Sequence, residues 1–147
     1  MKWLEKLTNR LATFANSKLD TMLQDDEFGA AVDAYRAKDF KAALKKYEAL
    51  ARGGHAQAST LAGTMYLMGD GCPKNGEKAV EFFQLGIKAG DPEATLMLGL
   101  TYAAGYGVVS VDFGKARMLL EPLANQGNKR ALEMLAIMKA KQPGKRK

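Results

Sequence analysis

The chain of 147 residues contains one cysteine and one histidine, and both shortages exclude kinds of site. A single thiol, Cys72, cannot build a disulfide framework or a multi-thiolate zinc site. His55 has no serine, paired carboxylates or second histidine at a spacing typical of acid–base or metal chemistry. We therefore predict no catalytic residues, no metal ligands and no cofactor. No apolar run approaches the ~20 residues that cross a bilayer, so a cytoplasmic protein is expected.

The net charge of +6 comes from the two ends of the chain. Residues 128–147 carry seven basic side chains against Glu133 alone, whereas residues 25–127 carry a net charge of −2. A nucleic-acid surface needs Lys and Arg gathered along the folded body, so a nucleic-acid partner is not expected. The basic tail, 141–147, is expected to be solvated.

An internal repeat runs through the middle of the chain at an offset of 36 and then 37 residues. Its spacing predicts two helices a unit, with small residues inside the helices where another helix packs closely. Paired glycines at 69–71 and 105–107 are expected to end the first helix of each unit. The predicted structural positions are Ala58, Gly63, Tyr66, Ala79, Ala94, Gly99, Tyr102 and Ala116.

The motif Ala-x-x-x-(Leu/Ala)-Gly-x-x-Tyr-x-x-Gly-x-Gly, followed by Lys-Ala, resembles the Sel1-like (Sel-one-like) repeat family, SLR, a relative of the tetratricopeptide repeat. The resemblance covers about residues 27–140 and implies an all-α fold, a right-handed α/α solenoid of antiparallel helix hairpins. About eight helices are expected. The predicted divisions are an N-terminal amphipathic helix (1–24), a repeat domain (25–140) and the basic tail (141–147). Within the repeat domain, we predict units at about 27–54, 55–90 and 91–127 and a capping helix at 128–140.

By analogy with tetratricopeptide units, the resemblance also implies a binding groove lined by the first helix of each unit. Its apolar members would suit an amphipathic helix or an extended peptide with apolar anchors. An alternative for Leu67 and Leu96 is that they pack between units. The predicted groove residues are Gln57, Thr60, Thr64, Leu67, Met68, Glu93, Leu96, Leu100, Ala103 and Ala104.

The N-terminal helix has apolar residues at three- and four-residue steps, among them Leu4, Leu7, Leu11, Phe14 and Met22. Three interpretations stay open. The helix could cap the solenoid, dock a partner or lie on an anionic membrane surface as a peripheral contact.

The function expected is that of a non-catalytic adaptor or scaffold that binds a partner protein or peptide. The alternative is an accessory protein tethered to an anionic membrane or a nucleic acid through its basic ends. Either a monomer or a helix-exchanged dimer is compatible with the sequence. His55, between two helices, and Cys72, beside Pro73 in a linker, are expected to have structural roles.

Overall fold

The computed structural model describes residues 2–105 and 110–142, and this part of the chain is helical with no strands. Gly107 of the second glycine pair and residues 143–147 of the predicted tail lie outside the described residues. None of the described helices is both long and apolar enough to cross a membrane. The helices in chain order are α1 (Lys2–Arg36), α2 (Phe40–Arg52), α3 (Ala56–Met68), α4 (Gly76–Lys88), α5 (Pro92–Ala104), α6 (Phe113–Asn125) and α7 (Lys129–Lys141).

Side-chain caps set the starts of the six shorter helices, each 13 residues long. In each case the side chain before the helix accepts a hydrogen bond from a backbone N–H of the first turn, which otherwise has no partner. Two of the first helices end at glycines with a left-handed backbone, Gly69 and Gly105. The capping residues are Asp39, His55, Asn75, Asp91, Asp112 and Asn128.

Consecutive helices pack against each other along the whole described chain, as in a solenoid. The first helices of successive units also touch, because α3 contacts α5 and α5 contacts α7. The buried apolar side chains form two clusters, one centred on α2, α3 and α4 and the other on α5, α6 and α7. The all-α repeat architecture predicted from the sequence is confirmed.

Helix α1 is continuous from Lys2 to Arg36, a span of 35 residues. It contains both the predicted N-terminal helix and the first helix of the unit at 27–54, so seven helices are described where about eight were expected. Residue 24, at which we placed a boundary, lies inside this helix. Residues 2–27 and the first helix of the first unit therefore form one continuous helix.

Candidate functional site

The four repeated alanines lie at the centre of the helix packing. Ala58, Ala79, Ala94 and Ala116 are all completely buried. A methyl group at these positions lets neighbouring helices approach closely without leaving a void. The first and second helices of each of these two units are therefore held at a short distance from each other.

The repeated glycines Gly63 and Gly99 mark the closest approaches. A Cβ atom at Gly63 would lie 2.6 Å from Cε1 of Phe83, and one at Gly99 would lie 2.6 Å from Cδ2 of Leu120. Phe83 and Leu120 occupy equivalent positions in the two units, 37 residues apart. Each unit thus seats a large side chain of its second helix on a glycine of its first helix.

The repeated tyrosines share a lysine neighbour but differ in burial. Tyr66 is buried, stacks on Phe82 with ring centroids 5.6 Å apart and donates a hydrogen bond to Glu48. Burial and this hydrogen bond raise the pKa of Tyr66 well above its usual range. Tyr102 is half-buried. The ammonium groups of Lys78 and Lys115 lie 5.2 Å from the ring centroids of Tyr66 and Tyr102, respectively.

Four of the predicted groove residues are buried, which leaves them little surface for a partner. Leu67 packs in the first core cluster, and Leu96, 1% exposed, and Ala103 pack in the second. Thr60 is buried too, and its hydroxyl donates to Oδ2 of Asp91 at 2.5 Å. These residues face neighbouring helices, so Leu67 and Leu96 follow the packing alternative.

The remaining predicted groove residues do reach solvent. Gln57, Met68, Glu93 and Ala104 are exposed, with Met68 at 63%. The half-buried positions are Thr64 and Leu100. They lie on α3 and α5, which are in contact.

Sequence reasoning missed further accessible residues on the first helices α3, α5 and α7. Leu61 is 36% exposed, Met97 and Met134 are half-buried, and Ile137 is 48% exposed. The repeat offsets could have found them, because positions 61, 97 and 134 are equivalent, as are 64, 100 and 137. We call the combined set the first-helix surface: Gln57, Leu61, Thr64, Met68, Glu93, Met97, Leu100, Ala104, Arg130, Met134 and Ile137.

One edge of the first-helix surface is polar and carries an ion pair. Arg130 Nη1 donates to Oε1 of Glu93 at 2.8 Å, and its Nη2 lies 4.0 Å from Sδ of Met97. Glu93 and Arg130 are equivalent to Gln57 by the repeat offsets. A polar row therefore borders an apolar row that contains Leu61, Met97 and Met134.

His55 and Cys72 both contact backbone groups of α3. Nδ1 of His55 accepts a hydrogen bond from the N–H of Ala58, and the ring stacks on Phe28 with centroids 4.6 Å apart. Cys72 is half-buried near the carbonyl oxygen of Met65, and burial raises the pKa of its thiol. Within the described residues, no three His, Cys, Asp or Glu side chains cluster where a metal could bind.

The N-terminal part of α1 projects with its apolar side chains uncovered. Every residue from Lys2 to Glu27 whose side chain is described is exposed. Packing against α2 begins near Phe28 and Ala31. We call residues 2–27 the projecting segment. Its exposed large apolar residues are Trp3, Leu4, Leu7, Leu11, Leu19, Met22 and Leu23.

Comparisons with known proteins agree with this architecture. The chain is similar in structure to a protective antigen with an SLR fold from uropathogenic Escherichia coli strains, with a TM-score of 0.72, 24% identity and coverage of 83% of this chain and 27% of that one. It is also similar to a Sel1 repeat protein from Oxalobacter formigenes, with a TM-score of 0.62, 26% identity and coverage of 71% and 43%. This chain thus spans less than half of either solved protein. No curated protein matches significantly.

A family model for the Sel1 repeat matches residues 56–91 and 92–128. The first match contains α3 and α4, and the second contains α5 and α6, so each match is one helix hairpin. The glycine and tyrosine positions described above fall inside both matches. Residues 56–128 therefore form two consecutive repeats of the Sel1-like family.

Proposed function

We propose that this protein is a non-catalytic adaptor that binds an amphipathic helix or an apolar-anchored peptide of a partner protein on the first-helix surface. Proteins built of Sel1-like repeats generally act as protein-interaction modules. The observation that carries the proposal is the accessible apolar row that contains Leu61, Met97 and Met134. These residues lie on α3, α5 and α7, and α5 contacts each of the other two helices. A partner segment lying across these helices would contact equivalent side chains of successive units.

The chemistry of the row suits a helical or extended protein segment. Thioethers such as those of Met97 and Met134 are flexible and polarizable, and they adapt to partners of different shape. The ion pair of Arg130 with Glu93 beside the row supplies hydrogen-bonding groups at its edge. Apolar anchors bordered by polar groups are the usual anatomy of a protein-binding surface.

Affinity capture with quantitative mass spectrometry tests this assignment. We expect Leu61→Glu combined with Ile137→Glu to lose the partners that the unaltered chain retains, because a carboxylate at each position would be desolvated on binding. Met118→Glu is the matched control, since Met118 is 78% exposed on α6, outside the first-helix surface. Circular dichroism checks that each variant is folded. Unchanged capture by the folded double variant would refute the assignment.

A further inference from the structure

The projecting segment presents an apolar stripe to the side opposite the one that packs on the repeats. In a regular helix of 3.6 residues per turn, Leu4 and Met22 point in the same direction, and both lie about 180° from Ala31. Ala31 is completely buried against the first core cluster, whereas Leu4 and Met22 are exposed. The stripe is therefore not a continuation of the solenoid's own packing face.

We propose that the stripe pairs with the same stripe of a second copy of this chain, as an antiparallel two-helix interface. The stripe is self-complementary in one register, in which Leu4 faces Met22 of the second copy and Leu7 faces its Leu19. Each of these four residues is exposed in the single chain. A twofold interface repeats every contact, so two kinds of pair become four.

Charge distribution selects the antiparallel orientation. The start of the segment carries Lys2, Lys6 and Arg10 against Glu5, whereas its end carries Asp25, Asp26 and Glu27 in succession. Antiparallel pairing brings the basic start of one copy beside the acidic end of the other. Parallel pairing would place like charges together, which is unfavourable within the ~8–10 Å over which charges act in physiological salt.

The same acidic end argues against an anionic membrane as the occupant. Asp25 and Asp26 lie on the apolar side of the segment in the helical register, within about 60° of Leu4 and Met22. A bilayer surface that received the stripe would also receive these carboxylates, and anionic headgroups would repel them. In the paired arrangement, they lie beside the basic start of the second copy.

Multi-angle light scattering on the full chain, across the micromolar concentration range, tests the pairing. We expect a mass of twice 16.0 kDa for the unaltered chain. The single variants Leu7→Glu and Leu19→Lys should each reduce it to 16.0 kDa. The double variant carrying both should restore the larger mass, because each new carboxylate would face a new ammonium group across the interface.

The matched control is Met118→Glu on α6, which should leave the mass unchanged. Circular dichroism reports whether a single variant has lost helix, and rescue in the double variant separates lost pairing from lost folding. A monomeric unaltered chain, a dimer insensitive to Leu7→Glu, or a double variant that stays monomeric would overturn the proposal. The proposal would also be overturned by a monomer that co-sediments with phosphatidylserine vesicles and loses this binding on Leu7→Glu, because lipid would then cover the stripe.

Discussion

Gly63 lies directly beneath the ring of Phe83, where an added Cβ would be 2.6 Å from Cε1 and 3.0 Å from the carbonyl oxygen of Ala79. The pair fixes the distance between α3 and α4. Glycine within a helix costs about 1 kcal/mol relative to alanine, and here that cost is offset by the closeness of the two helices.

Gly63→Ala should destabilise the protein by about 1–3 kcal/mol despite the better helix propensity of alanine, because the ring and backbone carbonyl of α4 must move apart. Gly99→Ala should cost less, since the clashing atoms belong to the flexible side chain of Leu120. Chemical denaturation measures both.

Gly29→Ala is the matched control for these variants. Gly29 lies inside α1 and has no neighbour within 4 Å of a built Cβ. It should stabilise the protein by about 0.5–1 kcal/mol. Stabilisation by Gly63→Ala of the same size would contradict the tight contact with Phe83.

The bond of Thr60 to Asp91 connects two successive first helices. The carboxylate of Asp91 also caps α5 by accepting from the N–H of Glu93 at 3.1 Å. Thr60→Val should therefore cost about 1.5–3 kcal/mol, the range for a hydrogen bond to a charged group. A double-mutant cycle with Asp91→Ala should show coupling of the two residues.

Asp112→Ala provides the comparison, because Asp112 caps α6 through the N–H of Lys115. It should cost about 1 kcal/mol, the value of a cap alone. Equal costs for Asp91→Ala and Asp112→Ala, with no coupling of Asp91 to Thr60, would show that the interhelical bond contributes nothing.

Tyr66 should ionise only at a pH above the usual range of tyrosine, because burial and the hydrogen bond to Glu48 favour its neutral form. In the unfolded chain, the side chain of Tyr66 ionises near pH 10. The contribution of Tyr66 to the free energy of unfolding is therefore complete below about pH 10 and is lost as the pH rises through the raised pKa of the folded protein. Tyr66→Phe should cost about 1–2 kcal/mol at neutral pH through the lost hydrogen bond.

Ultraviolet absorbance of the phenolate, titrated with base, measures this ionisation. The unaltered chain should show a late-ionising tyrosine that Tyr66→Phe removes. Its free energy of unfolding should also fall more steeply above about pH 10 than that of the variant. Identical titration curves would contradict the assigned environment of Tyr66.

A comparison of Leu96 with Leu61 distinguishes a core residue of the first helices from a residue of the first-helix surface. Leu96→Ala should destabilise the protein by about 2–5 kcal/mol, since Leu96 is almost completely buried in the second core cluster. Leu61→Ala, at an exposed position, should change stability by less than about 0.5 kcal/mol. Thermal unfolding of the two variants makes the comparison, and a small loss for Leu96→Ala would return that residue to the binding surface.

The repeat period predicted the hairpins because Gly63 and Gly99, like Tyr66 and Tyr102, recur at one offset. The faces of the first helices were harder to predict, since α3 and α5 have apolar residues on nearly every side and periodicity cannot then separate core from surface. Periodicity therefore leaves both alternatives open for Leu67 and Leu96, and only the analogy with tetratricopeptide units places them in the groove. Burial of those residues depends on the adjacent units, because α3 also contacts α2 and α5, and α5 also contacts α4 and α7.

The join of the projecting segment to the first unit was also beyond sequence reasoning. The predicted boundary falls between residues 24 and 25, yet the acidic run at 25–27 contains neither proline nor glycine, and the helix passes through it. Helix ends depend on breakers and caps more than on a change of charge. The next capping residue is Asp39, at the start of α2.

Because α1 is continuous, the projecting segment is a helical arm about 39 Å long, at about 1.5 Å per residue, that runs directly into the first repeat. Whatever holds its free end also sets the direction of the first-helix surface. In the proposed dimer, the two first-helix surfaces would lie at opposite ends of the strut that the two paired projecting segments form. A partner with two suitably spaced binding segments would then gain avidity, because its second segment would bind at the high effective concentration set by the strut.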